Sequence, residues 1–262
     1  MTFRHLLLAL LTACALVAAA RADELVVGAN IGNVPWEFAD RGGEFVGFEI
    51  DLVREAAKRL GHSVEIVNIP FNGLFSAVQS GRIDIALSSM TITDKRLASV
   101  AFAQPYYDSA QSLTVIAASR AEGLEDMRDA VIGVDTGSTG DMWTTANRDR
   151  YGFADIRRFE GLAPAMLDLQ TRRIDGYISD IPALAYYVKD KPQFRVIERI
   201  ETGERYSMMF ARGSRWLEPI DAAISELKEE GFIAALHERW FGNAPAANSS
   251  TVRVLDRPQA LP

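Results

Sequence analysis

A twelve-residue segment occurs in two related versions in this chain, and this repeat constrains the fold more than any other feature. Residues 78–89 read VQSGRIDIALSS and residues 169–180 read LQTRRIDGYISD, with Gln, Arg, Ile, Asp and one Ser identical in an ungapped alignment. Each version combines a helix end, a polar turn and an apolar strand with a polar end. The repeat predicts two similar α/β units, which we expect to be two lobes facing each other across a cleft. A recurring βα pattern without common origin would explain part of the similarity.

The first version leads through a polar strand end into a capped helix. The sequence predicts a buried strand over residues 83–87 and Thr93 as the N-cap of the next helix. Ligands of open parallel α/β sheets bind at such strand ends. Arg96, in the first turn of that helix, has the forked guanidinium that binds a carboxylate well. The residues between strand and helix add hydroxyl and N–H groups: Ser88, Ser89 and Thr91.

The second version ends in a carboxylate, Asp180, where the first version has Ser89. A guanidinium from one lobe and a carboxylate from the other would bind a carboxylate and an ammonium group, so the predicted ligand is a zwitterion. Each residue has a simpler alternative. Arg96 would pair with Asp94 or a neighbouring acid, and Asp180 would cap the helix that follows it.

The first 22 residues have the features of a cleaved signal peptide. A basic start precedes an apolar run over residues 6–20, and Ala20-Arg-Ala22 is a small-x-small cleavage signal. We therefore expect a periplasmic protein that is released by cleavage before Asp23. A lipoprotein-type box that ends at Cys14 offers the alternative of a lipid anchor.

Composition narrows the classes of partner. Cleavage would change the net charge from −7 to −9 and remove the single cysteine. An acidic protein is a poor partner for nucleic acid and for anionic membrane surfaces. Three histidines without ligand spacing argue against a metal site, and we expect neither a metal nor a cofactor. With 48% hydrophobic residues and no mature cysteine, the fold must be stabilised by its core and not by disulfides.

Further positions carry candidate binding groups. Residues 130–140 read as a strand, then a Gly/Ser/Thr turn at the start of a helix, and the N–H groups of such a turn bind a carboxylate or a phosphate. Phe71, in the loop before a helix over residues 74–79, would either stack on a ligand or fill the core. Trp36 is expected to pack in the core, and His237 to lie on a solvated face of the last helix.

The chain is expected to cross twice between the lobes. A small, polar, extended segment over residues 108–112 separates two apolar runs, and residues 205–210 provide the return. The predicted boundaries are residues 23–108 and 206–243 for lobe 1, residues 109–205 for lobe 2, and residues 244–262 for a flexible tail rich in Pro, Ala, Ser and Asn.

Several motifs together resemble one family of proteins. They are Gly47-Phe-Glu-Ile-Asp-Leu52, the run from Gly81 to Arg96, Phe102-Ala-Gln-Pro-Tyr-Tyr107, Gly133-Val-Asp-Thr-Gly-Ser-Thr139, Arg173-Ile-Asp175 with Asp180, and Arg239-Trp-Phe-Gly242. In these motifs the chain resembles the periplasmic amino-acid-binding proteins of ABC importers, which include receptors for lysine/arginine/ornithine, histidine and glutamine. The resemblance implies a two-lobed α/β periplasmic-binding-protein fold of type II that closes on its ligand. It also implies a membrane-embedded ABC permease as partner, and we expect a monomer.

The resemblance also implies roles for individual residues. Arg96 would bind the α-carboxylate of the amino acid, and Asp180 would bind its α-ammonium group. Phe71 falls where the family often has an aromatic wall. The residues implied to assist carry hydroxyl groups: Thr91, Ser138 and Thr139 at the carboxylate, and Ser89 and Thr91 at the ammonium group.

Three positions depart from the pattern of the basic-amino-acid receptors. This chain has Asn33 where those receptors have a Tyr wall, and Asn30 where they have an acid for the ligand side chain. Asp135 stands where others have apolar, Gln or Lys residues, and would meet a cationic or hydroxylated side chain. The departures leave the contacts with the α-amino-acid group intact and the side-chain preference open.

Two other functions compete with that of a transport receptor. An exported enzyme of the cyclohexadienyl dehydratase type would need a general acid in the cleft, for which Asp135 and Glu37 are candidates. The sequence shows no perturbed carboxylate pair to support it. A sensory binding module would report the ligand to a separate membrane kinase.

Overall fold

The computed structural model describes residues 24–259, so the predicted signal peptide and Cys14 lie outside the described residues. The strands are β1 (Leu25–Ala29), β2 (Phe38–Ala39), β3 (Phe45–Val46), β4 (Val64–Asn68), β5 (Ile85–Leu87), β6 (Ala101–Phe102), β7 (Tyr107–Ile116), β8 (Val131–Asp135), β9 (Asp155–Phe159), β10 (Gly176–Asp180), β11 (Phe194–Tyr206) and β12 (Met209–Phe210). The helices are α1 (Phe48–Arg59), α2 (Phe71–Gln79), α3 (Asp94–Leu97), α4 (Thr139–Tyr151), α5 (Leu162–Gln170), α6 (Ile181–Val188), α7 (Leu217–Glu229) and α8 (Phe232–Phe241).

The first lobe is built on a five-stranded sheet in the order β4-β1-β5-β12-β6. β1 pairs in parallel with both β4 and β5, so Val27 stands between Ile66 and Ile85. Parallel neighbours need a crossover, which α1 and α2 supply, and the carboxyl ends of β1 and β5 therefore meet at one edge of the sheet. The first version of the repeat forms α2, a turn and β5, with the strand beginning at Ile85 and not at residue 83.

The second lobe has a five-stranded sheet in the order β11-β7-β10-β8-β9. β8 pairs in parallel with β9 and β10, and the second version of the repeat forms α5 and β10 as expected. β7 and β11 are long antiparallel partners, from Tyr107 beside Tyr206 to Ile116 beside Phe194. The chain thus passes between the two sheets before β7 and again after β11. The lobe boundaries at residues 108/109 and 205/206 stay a prediction.

Trp36 anchors the core of the first lobe, as its sequence context predicted. Its side chain is fully buried and meets the rings of Phe48 and Tyr107 edge-on, with centroids 5.5 and 4.6 Å away. Gly47, the N-cap of α1, has φ +135°, and a Cβ there would stand 2.1 Å from the carbonyl oxygen of Trp36. Only glycine permits this close approach. The start of α1 is therefore fixed against the core.

His237 is buried, which corrects the expectation of a solvated side chain. Only 8% of its surface is exposed, and its ring packs on Tyr107 and Phe241 with centroids 5.4 and 4.9 Å away. Its Nδ1 lies 2.8 Å from the carbonyl oxygen of Asn243, and burial lowers its pKa. The charged neighbours of His237 in sequence lie on other faces of α8, which is why composition misled the prediction.

The C-terminal segment differs from the flexible tail that its composition predicted. Ser250 is buried, and both its backbone N–H and its hydroxyl donate to the carboxylate of Asp108 at the start of β7. The buried ammonium of Lys228 donates to the carbonyl oxygens of Pro105 at 2.7 Å and Arg253 at 2.9 Å. Hydrogen bonds to buried partners thus hold a segment that has little apolar surface of its own.

No helix within residues 24–259 is both long enough and apolar enough to cross a bilayer.

We expect truncation after residue 243 to destabilise the protein, because the buried Lys228 loses one of its acceptors and Asp108 loses both donors of Ser250. The free energy of unfolding should fall by about 1–3 kcal/mol, and scanning calorimetry should show a Tm lower by a few degrees. Truncation after residue 259 is the matched control and should leave Tm unchanged. Equal Tm values for the two truncated proteins would show that residues 244–259 do not stabilise the fold.

Candidate functional site

A cavity of about 130 Å³ lies between the two sheets and is lined from both lobes. Every residue predicted as a binding residue lines it: Asn30, Asn33, Phe71, Ser88, Ser89, Thr91, Arg96, Asp135, Ser138, Thr139 and Asp180. Arg96 is the only cationic side chain among the described residues of this lining, which also includes the carboxylates of Asp135, Glu160 and Asp180. The fold thus brings these positions, which are far apart in the chain, together around one cavity.

Arg96 is held in the cavity wall by the short helix α3. Thr93 caps this helix as predicted, since its hydroxyl accepts the backbone N–H of Arg96 at 3.2 Å. The guanidinium donates through Nη1 to the carbonyl oxygen of Thr91 at 2.6 Å and through Nη2 to that of Gly137 at 3.4 Å. Among the described residues these bonds use two of its five N–H groups. The alternative pairing with Asp94 is not formed, so the remaining donors can bind an anion.

Burial affects the pKa of Arg96 but does not remove its charge. Its side chain is 6% exposed and lies over the rings of Phe71 and Phe75, with the guanidinium carbon 5.5 and 5.3 Å from their centroids. Burial lowers its pKa to about 10, and the nearby carboxylates of Glu204 and Asp180 limit the decrease. The guanidinium therefore stays charged at neutral pH. Phe71 is the first residue of α2 and not a loop residue, and its half-buried ring both lines the cavity and packs on Arg96.

Asp180 ends β10 opposite Arg96 and does not cap α6. Although it occupies the N-cap position, its side chain accepts no hydrogen bond from that helix. Its Oδ2 accepts the hydroxyl of Ser89 at 3.0 Å, and its Oδ1 accepts Nε2 of Gln111 at 2.6 Å. Burial, followed by the charge of Glu204, raises its pKa to about 7. No ion pair joins Arg96 and Asp180 in the described chain, which leaves both charges available to a third group.

Ser89 is fixed by a network behind the cavity wall. Its backbone has φ 42°, a conformation that is uncommon for residues other than glycine, and its N–H donates to both oxygens of Glu49 at 3.1 and 2.9 Å. Its hydroxyl accepts Nδ2 of Asn33 at 3.1 Å, while the same amide also donates to Glu37 at 3.0 Å. Both amide hydrogens of Asn33 are thereby used, so this residue presents its carbonyl oxygen as the free polar group.

The buried pair Glu37 and Glu49 is the feature of this network that sequence reasoning missed. Burial, followed by the charge of Glu49, raises the pKa of Glu37 well above its usual range, and burial raises that of Glu49. We infer that Glu37 holds the proton while Glu49 accepts Ser89 and the hydroxyl of Tyr106. Glu37 does not line the cavity, so it is badly placed as the general acid considered from the sequence.

The second lobe contributes the start of α4 to the cavity. Ser138 is the N-cap of this helix, and its hydroxyl accepts the N–H of Asp141 at 3.0 Å. The helix begins at Thr139, which reaches across the cleft to Thr91 with 3.4 Å between the hydroxyl oxygens. A helix N-terminus with free N–H groups favours an anion.

Asp135 lies at the end of β8 in the cavity wall. Its carboxylate accepts the hydroxyl of Tyr177 at 2.8 Å and the N–H of Gly161 at 3.2 Å. Burial raises its pKa to about 6. With two protein donors already bound, Asp135 keeps free lone pairs for a donor on a ligand.

Gln111 and Glu204 were not predicted from the sequence, although both lie directly behind the cavity. They stand on the crossover strands β7 and β11, and both are buried. Nε2 of Gln111 donates to Glu204 as well as to Asp180. Strand alternation does not reveal such residues, because their buried partners are far away in the sequence.

Comparison with known proteins places this site in a family. The sequence pattern of the bacterial extracellular solute-binding proteins, family 3, matches residues 25–243. The arginine-binding extracellular protein ArtP of Bacillus subtilis is 28% identical over 221 residues, which are 83% of this chain and 86% of ArtP. A probable histidine-binding protein of Neisseria gonorrhoeae is also 28% identical, over 82% of each chain.

Solved structures of amino-acid-binding proteins are also similar to this chain. An ancestral arginine-binding protein bound to arginine superposes with a TM-score of 0.80 at 32% identity, covering 85% of this chain and all of that protein. The arginine-, lysine-, histidine-binding protein ArtJ of Geobacillus stearothermophilus gives 0.79 at 30% identity, covering 86% of this chain and 98% of that one. These likenesses confirm the two-lobed periplasmic-binding-protein fold of type II. The chain belongs to the bacterial extracellular solute-binding proteins of family 3, the amino-acid-binding proteins of ABC transporters.

Proposed function

We propose that this protein is a periplasmic receptor that captures a polar L-amino acid and delivers it to the permease of an ABC importer. The observation that carries the proposal is the placement of Arg96 and Asp180. They come from opposite lobes, line one cavity, and do not pair with each other. The carboxylate and ammonium groups of an α-amino acid carry the two charges that would pair with Arg96 and Asp180.

Each end of the ligand would meet suitable groups. The α-carboxylate would bind the free N–H groups of Arg96 and those at the start of α4, with the hydroxyl groups of Ser138 and Thr139 beside them. The α-ammonium group would bind Asp180, with Ser89 and Thr91 adjacent. The names of relatives, which record arginine, histidine and cystine as ligands, support an amino acid as the bound molecule.

The rest of the lining favours a polar ligand side chain. Asn30 and Asn33 from the first lobe and Asp135 from the second lobe surround the space beyond the α-amino-acid group, with Phe71 covering one side. These groups offer mainly acceptor atoms, so we propose a side chain that donates hydrogen bonds. Ser88 lies in the same wall, but its hydroxyl donates to Glu37.

A ligand screen and one substitution test the proposal. We expect a thermal-shift screen of the proteinogenic amino acids to show stabilisation by one class with polar side chains. In calorimetry with the best of these, Arg96→Ala should weaken binding by about tenfold to several hundredfold, because a buried charge-assisted contact is lost. Arg82→Ala is the matched control, since Arg82 is exposed and outside the cavity. Equal affinity of the Arg96 variant and the control would refute the assignment.

Binding should depend on pH through Asp180. Its pKa of about 7 means that the ligand-free site holds a proton below that pH, and this proton must leave before an ammonium group can bind. Affinity should therefore level off near pH 8 and fall by up to tenfold per unit below about pH 7, with Asp135 adding to the decrease below its pKa of about 6. Calorimetry across this range measures the profile.

Asp180→Asn should weaken binding at pH 8 and flatten the profile between pH 6 and 8. Asp190→Asn, an exposed aspartate on the same lobe, is the control and should keep the wild-type profile. A pH-independent affinity of the wild-type protein would show that Asp180 does not accept the ammonium group.

We expect no dehydratase activity. Prephenate carries two carboxylates, whereas the described lining of the cavity offers one guanidinium and three carboxylates, so the second ligand anion would be repelled. Incubation of the protein with prephenate or arogenate, followed by absorbance and chromatography, should yield no aromatic product. Phenylpyruvate or phenylalanine formed in proportion to the protein would instead establish the enzyme.

A further inference from the structure

Glu204 is a buried carboxylate behind the cavity that the proposed binding scheme does not use. It lies on β11, the strand that returns the chain to the first lobe, and is 4% exposed. Its Oε2 accepts the hydroxyl of Thr91 at 3.1 Å, and its Oε1 accepts Nε2 of Gln111 at 3.0 Å. It does not line the cavity, so it acts on a ligand through these partners and through its charge.

The amide of Gln111 joins two carboxylates. Its Nε2 lies 2.6 Å from Oδ1 of Asp180 and 3.0 Å from Oε1 of Glu204, so each carboxylate can take one of its two hydrogens. The reverse orientation of the amide would place its carbonyl oxygen against both carboxylates. In the orientation observed, Oε1 of Gln111 is buried without a partner in the described chain. The contact with two anions outweighs that loss and fixes the orientation.

The carboxylate acceptors determine where the hydroxyl protons of Thr91 and Ser89 point. Thr91 has one hydroxyl hydrogen, and it points to Glu204. Ser89 likewise has one, and it points to Asp180. Thr91 therefore has only lone pairs left for the cavity, and Asp180 presents carboxylate oxygens beside it. This part of the wall accepts hydrogen bonds and offers no hydroxyl donor of its own.

We propose that Glu204 is a positioning residue that makes the wall formed by Thr91 and Asp180 selective for an ammonium group. It orients the hydroxyl of Thr91 away from the cavity and holds the bridging amide of Gln111. It also adds its own negative charge behind that of Asp180. The inference rests on the proposed function, because it concerns the same cavity. It predicts strong rejection of analogues in which the α-ammonium group is replaced by hydrogen or hydroxyl, since a neutral group would leave buried acceptors unpaired beside two negative charges.

The charged and titratable groups around Asp180 support this role. Arg96 faces it from α3, Glu204 and Tyr206 face it from β11, and Tyr177 precedes it on β10. After burial, the charge of Glu204 is the main cause of the raised pKa of Asp180. Removal of that charge should therefore move the pH at which Asp180 takes up its proton, an effect that mere packing would not have.

The test is Glu204→Gln in the full chain, a nearly isosteric change that removes the charge. Glu201→Gln is the matched control, because Glu201 lies on the same strand and is 74% exposed with Arg199 as its partner. The probes are L-arginine and L-histidine, together with the analogues of both that lack the α-amino group. Calorimetry measures each affinity from pH 5.5 to pH 8.5. Carboxyl-carbon NMR of the ligand-free proteins, assigned with Asp180→Asn, measures the pKa of Asp180.

We expect Glu204→Gln to weaken binding of the amino acid at pH 8 by about tenfold to a hundredfold, and to weaken its deaminated analogue far less. The preference for the amino acid should thus decrease by at least about tenfold. The pKa of Asp180 should move down by about one unit or more, and the pH profile of binding should move with it. The control should reproduce the wild-type ratio and the wild-type pKa.

An unchanged analogue ratio together with an unchanged pKa of Asp180 would overturn the inference, and so would an equal loss of affinity for both compounds. If Glu204→Gln does not fold, Thr91→Ser and Thr91→Val replace it. The serine variant should keep the preference for the amino acid, and the valine variant should lose it. The proposed function fails separately, when Arg96→Ala and Asp180→Asn leave binding intact. If neither probe binds to the wild-type protein, the NMR pKa comparison alone decides the role of Glu204.

Discussion

Burial of the Arg96 guanidinium is the constraint on which the cavity depends. A charge that is 6% exposed needs compensation, because removing it from water is costly. The protein supplies this compensation in part, through the carbonyl oxygens of Thr91 and Gly137 and the faces of two phenylalanine rings. No carboxylate of the described chain forms an ion pair with it. The site thus keeps a cation whose direct partner has to come from outside.

The opposite side of the cavity has an excess of negative charge. Asp180, Glu204 and Asp135 are all close to the cavity, and Arg96 is the one cation in the part of the lining that the structure describes. Burial raises the pKa values of Asp180 and Asp135 toward neutrality, and repulsion adds to the increase, from Glu204 at Asp180 and from Glu160 at Asp135. Protons therefore reduce the repulsion in the ligand-free protein. The ammonium group of a ligand would reduce the same repulsion with a full positive charge and its own N–H donors. Binding would therefore exchange the proton for the ligand.

Sequence reasoning succeeded where the signal was local. The repeat predicted α2 with β5 and α5 with β10, and the N-cap at Thr93 placed Arg96 correctly. It failed where partners are distant in sequence. Glu204 acquires its role from Gln111 and Thr91, which are 93 and 113 residues away, and no periodicity in its own strand records this. The burial of His237 and Ser250 was missed for the same reason. A polar segment is expected to be exposed, but a hydrogen-bond partner from elsewhere in the chain allows it to be buried.

Three of the direct contacts between the lobes in the described chain involve residues also assigned to the ligand. Ser89 donates to Asp180 at 3.0 Å, whereas Arg96 to Gly137 and Thr91 to Thr139 are both long, at 3.4 Å. A ligand can shift the equilibrium between an open and a closed form only by binding one form better than the other. A zwitterion placed between Arg96 and Asp180 would touch both lobes at once. Since a carboxylate oxygen accepts more than one hydrogen bond, Asp180 can keep Ser89 and gain the ammonium group. The ligand would therefore add to the contacts between the lobes without replacing them, and its binding energy would become the energy of closure.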